Sequence, residues 1–369
     1  MDVELATDYL RGNAALREAL GIGADAVLEP VPLGMGEHNV NYQFVDSASG
    51  RAYVLRINVA SQPFHDDQVA YEFAALEALA SSGRVPEPLY LDNSPDAPGK
   101  GALVIGFCEG EMLDFDHLRD GDLRCAAQIM ADVHAVRIDE GGGAADGTAD
   151  GSAVVRLYRP ADPLRALFEE CLQRFEVYRS STFEDARITK WVRRFIDAAE
   201  SVVASSCASR DCAHIVNTET LPSHFLIPAA SAADAAANGA PSGRFCDQPG
   251  FFVDWERPVI GEVAQDVAYF VSPTTTFWDS EFLFPSSGVE AFVEDYWRAV
   301  DGRFERGSFD ERFRAWRMMT ALRSTTWCCR ALVTYRETDA HKTERTVRKL
   351  PVYLSDDFME MLATECFGM

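Results

Sequence analysis

Two short apolar segments that deliver polar side chains constrain the fold of this 369-residue chain most strongly. The first, residues 216 to 227, reads Val-Asn-Thr-Glu-Thr-Leu-Pro-Ser-His-Phe-Leu-Ile, and the second, residues 251 to 256, reads Phe-Phe-Val-Asp-Trp-Glu. Short apolar runs bounded by turn residues indicate buried strands. We therefore predict a hairpin that brings Glu219, His224 and Asp254 together, with a long loop between its two strands.

The first third of the chain reads as a small antiparallel sheet with one main helix. Short β-like runs cover residues 31 to 33, 41 to 45 and 52 to 57. Apolar residues then recur every three or four positions from 67 to 82, which predicts a helix that stops at the next glycine. The apolar run from 102 to 107 leads into a Cys-Glu-Gly sequence, which we expect to link two lobes.

Helical patterns dominate the rest of the chain, so the sequence predicts an α+β, bilobal protein. Its N-lobe would comprise residues 1–107 and its larger, mainly helical C-lobe residues 108–369. The helical segments are residues 121–137, 163–206 (two or three helices), 288–300, 309–336 and 356–366. Residues 139–152 and 229–250 are rich in Gly, Ala, Ser and Asp, a composition that buries little apolar surface, and are predicted to be mobile surface loops.

The net charge of −24 restricts the class of partner. Strong acidity opposes binding to nucleic acid or to an anionic membrane, so we expect neither partner. It is compatible with a cationic, amine-containing substrate, and equally with a plain acidic surface. No apolar run approaches the roughly 18 residues of a spanning helix. The nine cysteines form no Cys-x-x-Cys pair, which favours reduced thiols and a cytoplasmic location.

Two glycines, Gly34 and Gly36, lie between predicted strands, and Asn39 follows them. Glycine lets backbone amides approach phosphates without a Cβ in the way. A tight turn that binds nothing is the alternative. Because the context is strand-loop-strand, it disfavours a Rossmann site and favours a flap over nucleotide phosphates.

A cation occupies the middle of an apolar strand at Arg56. An unpaired charge there is costly, so Arg56 requires a carboxylate or a phosphate. Glu72, on the following helix, is the natural partner, and kinases use such a pair to hold the non-transferred phosphates. The alternative is an arginine near a strand end that reaches solvent.

The order of these features resembles the aminoglycoside phosphotransferase and choline kinase family over residues 28 to about 300. The shared order is a Gly loop, a Leu-Arg strand, a Glu helix, Pro-x-Pro, a linker ending in Glu-Gly, a helix ending in Val-His-Ala, the catalytic strand, Asp-Trp-Glu, and Gly-x-x-x-x-Asp-Val-Ala. The resemblance implies a bilobal protein-kinase-like fold and ATP with Mg²⁺ in the cleft. It also implies γ-phosphate transfer to a small-molecule hydroxyl.

The resemblance further implies roles for individual positions. Nucleotide contacts fall on Gly34, Gly36, Asn39, Arg56, Glu72 and the backbone at Gly106 and Cys108. Asp254 becomes the principal metal ligand, and Asp266 braces the catalytic loop from a helix start, where Asp readily caps a helix. Glu256 could ligand a metal or face solvent, and we expect it to face solvent. Residues 273–278 could line the acceptor pocket with hydroxyls and an indole, or form a helix-breaking turn with a core aromatic.

Three replacements distinguish the catalytic loop from the family pattern. Glu219 stands where the family has its catalytic Asp, so the carboxylate remains one methylene further from the backbone. His224 replaces the Asn that supports Mg²⁺. It is a softer ligand that suits Zn²⁺ or Mn²⁺ better, or it hydrogen-bonds Glu219. Asn217 replaces the loop His, whose hydrogen bonds an amide can supply.

The sequence thus predicts an ATP-dependent kinase for a small-molecule hydroxyl, with Glu219, Asp254 and Arg56 as catalytic residues and Asp254 and His224 at the metal. Two alternatives remain. The altered loop is compatible with a catalytically inactive nucleotide sensor, or with an enzyme that transfers AMP.

Overall fold

In this computed structural model, the structure describes residues 3–36, 38–60, 67–138, 157–205, 213–229, 250–338 and 343–369. The predicted mobile loop 139–152 lies outside the described residues. The predicted loop 229–250 does too, except for its first and last residues.

The predicted antiparallel sheet has five strands, in the order β1-β2-β3-β5-β4. Its strands are β1 (Val31–Met35), β2 (Asn39–Val45), β3 (Ala52–Asn58), β4 (Pro88–Asp92) and β5 (Ala102–Gly106). Both faces of the central strand β3 are buried. Two N-terminal helices that the sequence analysis did not identify, α1 (Val3–Gly12) and α2 (Ala14–Leu20), contribute to a core with one face of this sheet.

Side-chain alternation in β3 determines which face meets which core. Tyr53, Leu55 and Ile57 pack in the core that contains α1 and α2. Val54 belongs to the second, larger core, to which α3 (Gln68–Leu79) also contributes. Because successive strand residues point to opposite faces, Arg56 shares the α3 face with Val54. This register places its guanidinium beside the helix that carries Glu72.

The rest of the described chain is mainly helical, as predicted. The helices are α4 (Asp122–His134), α5 (Pro163–Arg179), α6 (Ala186–Ser205), α7 (Val263–Phe270), α8 (Pro273–Asp279), α9 (Ser286–Val300), α10 (Phe309–Glu337), α11 (Glu344–Tyr353) and α12 (Asp356–Phe367). The long helix α10 packs against α5, α6 and α7. Helix α11 was not predicted. Residues 273 to 278, for which a pocket-lining segment and a helix-breaking turn were considered equally, begin helix α8, and their threonines are buried.

Two small sheets hold the polar segments. Strand β7 (His214–Val216) pairs with β10 (Val259–Gly261), whereas β8 (Phe225–Ile227) pairs with β6 (Glu111–Met112) and β9 (Phe251–Phe252). The predicted pairing of the two segments is therefore formed by β8 and β9. The polar residues lie in the two loops that connect these sheets.

No helix in the described ranges is both long enough and apolar enough to span a membrane.

Candidate active site

Arg56 lies at the centre of a group of three carboxylates. Its Nε is 3.0 Å from Glu72 Oε2, and its Nη2 is 2.6 Å from both Asp254 Oδ1 and Glu256 Oε1. The Arg56 side chain is 9% exposed, so the alternative of an arginine that reaches solvent is wrong. The expectation that Glu256 faces solvent is also wrong. Its side chain is 17% exposed because it turns towards Arg56.

One guanidinium facing three carboxylates leaves an excess of negative charge. Burial raises the pKa of Glu72 to about 8; Arg56 opposes this shift, and Glu256 and Asp254 add to it. Burial and the nearby Asp254 also raise the pKa of Glu256. Burial disfavours ionisation of Asp254 as well, but Arg56 and His224 outweigh it and lower that pKa. Asp254 is thus the carboxylate most firmly held in its charged form.

The N-terminal sheet and α3 hold Glu256 in place. The Asn39 side-chain amide donates to Glu256 Oε1 and accepts from Asn58 Nδ2 at 3.1 Å. Gln68 Nε2 donates to the Glu256 carbonyl at 2.6 Å. Asn39, predicted to bind nucleotide, therefore lies at the start of β2, next to the turn of the β1-β2 hairpin, with its side chain directed at a carboxylate.

Gly34 and Gly36 lie on the exposed side of the same hairpin. A Cβ built at Gly34 meets nothing within 4 Å, and one at Gly36 approaches only the Asn39 carbonyl, at 4.0 Å. The protein itself therefore does not require glycine at either position. Among the described residues, no atom fills the space next to either Cβ position.

Gly106 and Cys108, the two linker positions predicted to meet the adenine edge, differ in the hydrogen bonds that their backbones make within the protein. The Gly106 N–H ends strand β5 and donates to the Glu87 carbonyl at 2.9 Å, so it is not free for a base. Within the described residues, no hydrogen bond involves the backbone of Cys108. Of the two, Cys108 is the position with an open backbone donor.

The loop between β7 and β8 and the loop between β9 and β10 each contain one residue with a strained backbone. Thr218 has φ 70° and Asp254 has φ 66°, left-handed values that non-glycine residues adopt uncommonly. Asn217 connects the loops, because its Nδ2 donates to the Asp254 carbonyl at 2.8 Å and its Oδ1 accepts from Glu219 N at 3.1 Å. Strain of this kind persists where the surroundings enforce it, and it is concentrated at functional sites.

Asp266 holds the loop between β7 and β8 through hydrogen bonds to the backbone of that loop. Its fully buried carboxylate accepts from Asn217 N at 2.7 Å and from Thr218 N at 2.8 Å, and it lies 3.2 Å from His134 Nε2. It does not cap its own helix, because Glu262 occupies that position. Asp266 therefore holds the loop rather than the helix end.

Glu219 is paired with two arginines that the sequence analysis did not identify. Arg323 Nη2 donates to Glu219 Oε1, Arg323 Nη1 donates to the Thr218 carbonyl at 2.5 Å, and Arg257 Nη1 lies 3.7 Å from Glu219 Oε1. Burial acts to raise the Glu219 pKa, but Arg323 and Arg257 outweigh it and lower that pKa. In the described part of the chain, Glu219 Oε2 has no hydrogen-bond partner. That oxygen is open to a substrate, since a third of the side chain is exposed.

His224 lies beside Asp254 rather than forming the hydrogen bond to Glu219 considered above. Its Nε2 is 3.3 Å from Asp254 Oδ2. Over the described ranges, no group of three or more His, Cys, Asp or Glu side chains is arranged to hold a metal ion. Mg²⁺ commonly binds through one or two carboxylates together with substrate phosphates. The surplus carboxylates around Arg56, with Asp254 a third exposed, fit a divalent cation of that kind.

Comparisons with known proteins show which proteins share this fold. Residues 29–177 match the model of the APH family, described as a phosphotransferase enzyme family. A spectinomycin phosphotransferase solved with ADP and spectinomycin superposes with a TM-score of 0.60 at 10% identity, covering 100% of this chain and 99% of that one. The fold is that of the aminoglycoside phosphotransferases and choline kinases.

Two further structures of this protein-kinase-like fold extend the similarity. The ethanolamine kinase of Plasmodium vivax has a TM-score of 0.60 at 14% identity, covering 97% of this chain and 90% of that one. The choline kinase of Cryptosporidium parvum Iowa II also has a TM-score of 0.60 at 14% identity, with coverages of 99% and 97%. A comparison with curated protein sequences gave no match. The resemblance stated from the sequence is confirmed, and the match of residues 29–177 to the phosphotransferase family model supports a phosphotransferase.

Proposed function

We propose that this chain is an ATP-dependent kinase that transfers the γ-phosphate to a hydroxyl of a small molecule, and that it acts in the cytoplasm. The observation that carries the proposal is the link from Arg56 to both Glu72 and Asp254, beside a Glu219 carboxylate with one open oxygen. Kinase-type transfer needs these three elements: a cation for the phosphates, an acidic metal ligand and an acid at the acceptor hydroxyl.

ATP would lie in a cleft between residues 1–107 and residues 108–369. Gly34 and Gly36 would cover the phosphates, and the open backbone of Cys108 would meet the adenine edge. Arg56 would grip the non-transferred phosphates. Asp254, with His224 beside it, would hold Mg²⁺ or Mn²⁺, which neutralises charge on the phosphates when bound.

The acceptor hydroxyl would donate its hydrogen bond to Glu219 Oε2. The oxygen of the acceptor hydroxyl attacks the γ-phosphorus. The bond between the γ-phosphorus and the β–γ bridging oxygen breaks, and ADP leaves with the electron pair of that bond. The hydroxyl proton passes to Glu219 and then to water. Because Arg323 and Arg257 hold Oε1, the longer Glu side chain is fixed in position despite its extra methylene.

The test uses the protein with ATP, Mg²⁺ or Mn²⁺ and a metabolite pool, with ADP and AMP adducts followed by mass spectrometry. Asp254→Asn is the informative variant because Asn tolerates the left-handed backbone at this position. Asp357→Asn, an exposed residue on α12, is the matched control. ADP formation that disappears only in Asp254→Asn supports the kinase.

Other outcomes identify the alternatives. Nucleotide binding without turnover would indicate a sensor, and a product that carries AMP would indicate nucleotidyl transfer. If neither ATP nor ADP binds, the proposal and both alternatives fail.

A further inference from the structure

Three arginines from separate parts of the chain are linked through the carboxylates of Glu170 and Glu219. Arg174 lies on α5, Arg257 follows the Asp-Trp-Glu sequence, and Arg323 lies on α10. Arg174 Nη2 donates to Glu170 Oε1, and Arg257 Nη2 lies 3.5 Å from the same oxygen. Arg257 and Arg323 also share Glu219 Oε1. The five side chains form one continuous arginine cluster.

This cluster contains more positive than negative charge. Three guanidiniums, which stay protonated in proteins, pair with two carboxylates. Among the side chains around the cluster, Asp254 acts on Glu219 from outside it, whereas Cys171 and Tyr269 are neutral near pH 7. Burial raises the pKa of Cys171 to about 11 and that of Tyr269 to about 12. Counted over its own five side chains, the cluster therefore carries one more cation than anions.

Arg174 is where this excess is least compensated. The residue is 7% exposed, and its Nη1 is buried without a hydrogen-bond partner among the described residues. Burial lowers its pKa, and the positive charges of Arg323 and Arg257 lower it further while Glu170 opposes them. A buried donor without a partner is costly. An anion placed between Arg174 and its arginine neighbours would supply the missing acceptor.

The arginine cluster and Arg56 pair with different carboxylates. Arg56, which comes from the N-terminal sheet, pairs with Glu72, Asp254 and Glu256. The arginine cluster instead pairs with Glu219 and Glu170, and two of its members come from helices α5 and α10. An anion bound here would be attached to the molecule whose hydroxyl meets Glu219, not to the nucleotide.

We propose that the acceptor carries an anionic group, a carboxylate or a phosphate, and that Arg174, Arg257 and Arg323 bind it. This inference rests on the proposed kinase function. Guanidinium groups match both anions through paired hydrogen bonds. The local charge thus points away from the amine-containing acceptor that the net charge of −24 would also allow.

The experiment first saturates the nucleotide site with a non-hydrolysable ATP analogue and Mg²⁺, so that added anions cannot occupy the γ-phosphate position. Calorimetric titrations then use malonate and inorganic phosphate as probes. We expect at least one of them to bind, and its affinity to fall at least tenfold in Arg174→Gln and Arg257→Gln. Arg306→Gln, which removes one exposed arginine paired with Asp310 and Glu294, is the control for net charge and should bind like the wild type.

Turnover assays distinguish the source of the anion and the role of the cluster. The acceptors are matched pairs, namely glycerate with its amide and glycerol 3-phosphate with glycerol, together with ethanolamine and choline. We expect the charged member of a pair to react at least tenfold better by kcat/KM, and Arg257→Gln to abolish that preference while Arg257→Lys retains part of it.

Three outcomes would overturn the proposal. In the first, the ATP analogue binds but neither simple anion does. In the second, the amino alcohols are the preferred acceptors. In the third, the arginine variants lower kcat but leave the preference for the charged acceptor intact, which would assign the cluster to the transferred phosphoryl group. Failure of the ATP analogue to bind would instead refute the proposed kinase function.

Discussion

Replacing Glu72 by Gln should shift the stability of this protein in favour of the variant as pH rises from 5 to 8, while it weakens the nucleotide site. Glu72 is 3% exposed and is held beside two other carboxylates. Burial raises its pKa from 4.5 to about 8, and Glu256 and Asp254 add to that shift against the attraction of Arg56. A group whose pKa is higher in the folded state than in the unfolded state contributes to stability at pH values below its unfolded-state pKa. That contribution is lost as the pH rises through its folded-state pKa.

The size of the effect follows from the two pKa values. The interval between 4.5 and about 8 corresponds to about 5 kcal/mol at full ionisation, of which about 3 kcal/mol develops between pH 5 and pH 8. Gln has nearly the same shape and does not ionise. The difference in unfolding free energy between Glu72→Gln and the wild type should therefore move by about 3 kcal/mol in favour of the variant from pH 5 to pH 8.

Urea unfolding at pH 5, 6, 7 and 8, without nucleotide or metal, measures this difference. Glu77→Gln is the control because Glu77 is exposed on the same helix, and its effect should not vary with pH. If Glu72→Gln destabilises the protein equally at all four pH values, or more strongly at pH 8, Glu72 is an ionised partner of Arg56 and the reasoning is refuted.

Three further predictions concern the catalytic loop and the linker. Glu219→Gln should keep nucleotide affinity but lower kcat by about 10² to 10⁴, measured as ADP release, because the amide cannot take the hydroxyl proton. Since Arg323 and Arg257 outweigh burial and lower the Glu219 pKa, the acid limb of the kcat/KM profile should lie below pH 4.5, and Arg323→Gln should shift it upward. Gly110→Ala should cost about 1–3 kcal/mol in urea unfolding. Gly110 has φ 154°, and an added Cβ would lie 3.0 Å from Leu226 Cβ; unchanged stability would contradict this.

Much of the fold could be predicted from local sequence patterns. Strands β1 to β3 and helices α3 to α6, α9, α10 and α12 follow apolar periodicity, which is a property of neighbouring residues. The pairing of Arg56 with Glu72 was also accessible, because a cation in an apolar strand requires a partner and the next helix offers one. Helices α1, α2 and α11 were missed. Residues 273 to 278 remained ambiguous because their proline is compatible with both a turn and the first turn of a helix.

By itself, the sequence determined the order of elements, the resemblance to a phosphotransferase family and the carboxylates at positions 219 and 254. Only the tertiary structure decided what surrounds those carboxylates. Arg323 is 104 residues from Glu219 in sequence, and Glu256 turns inward because Arg56 and Asn39, on strands of the N-terminal sheet, contact it. An arginine within a helical pattern predicts a solvent-exposed face equally well. Its charge acquires a role only when packing removes water and brings a carboxylate to it.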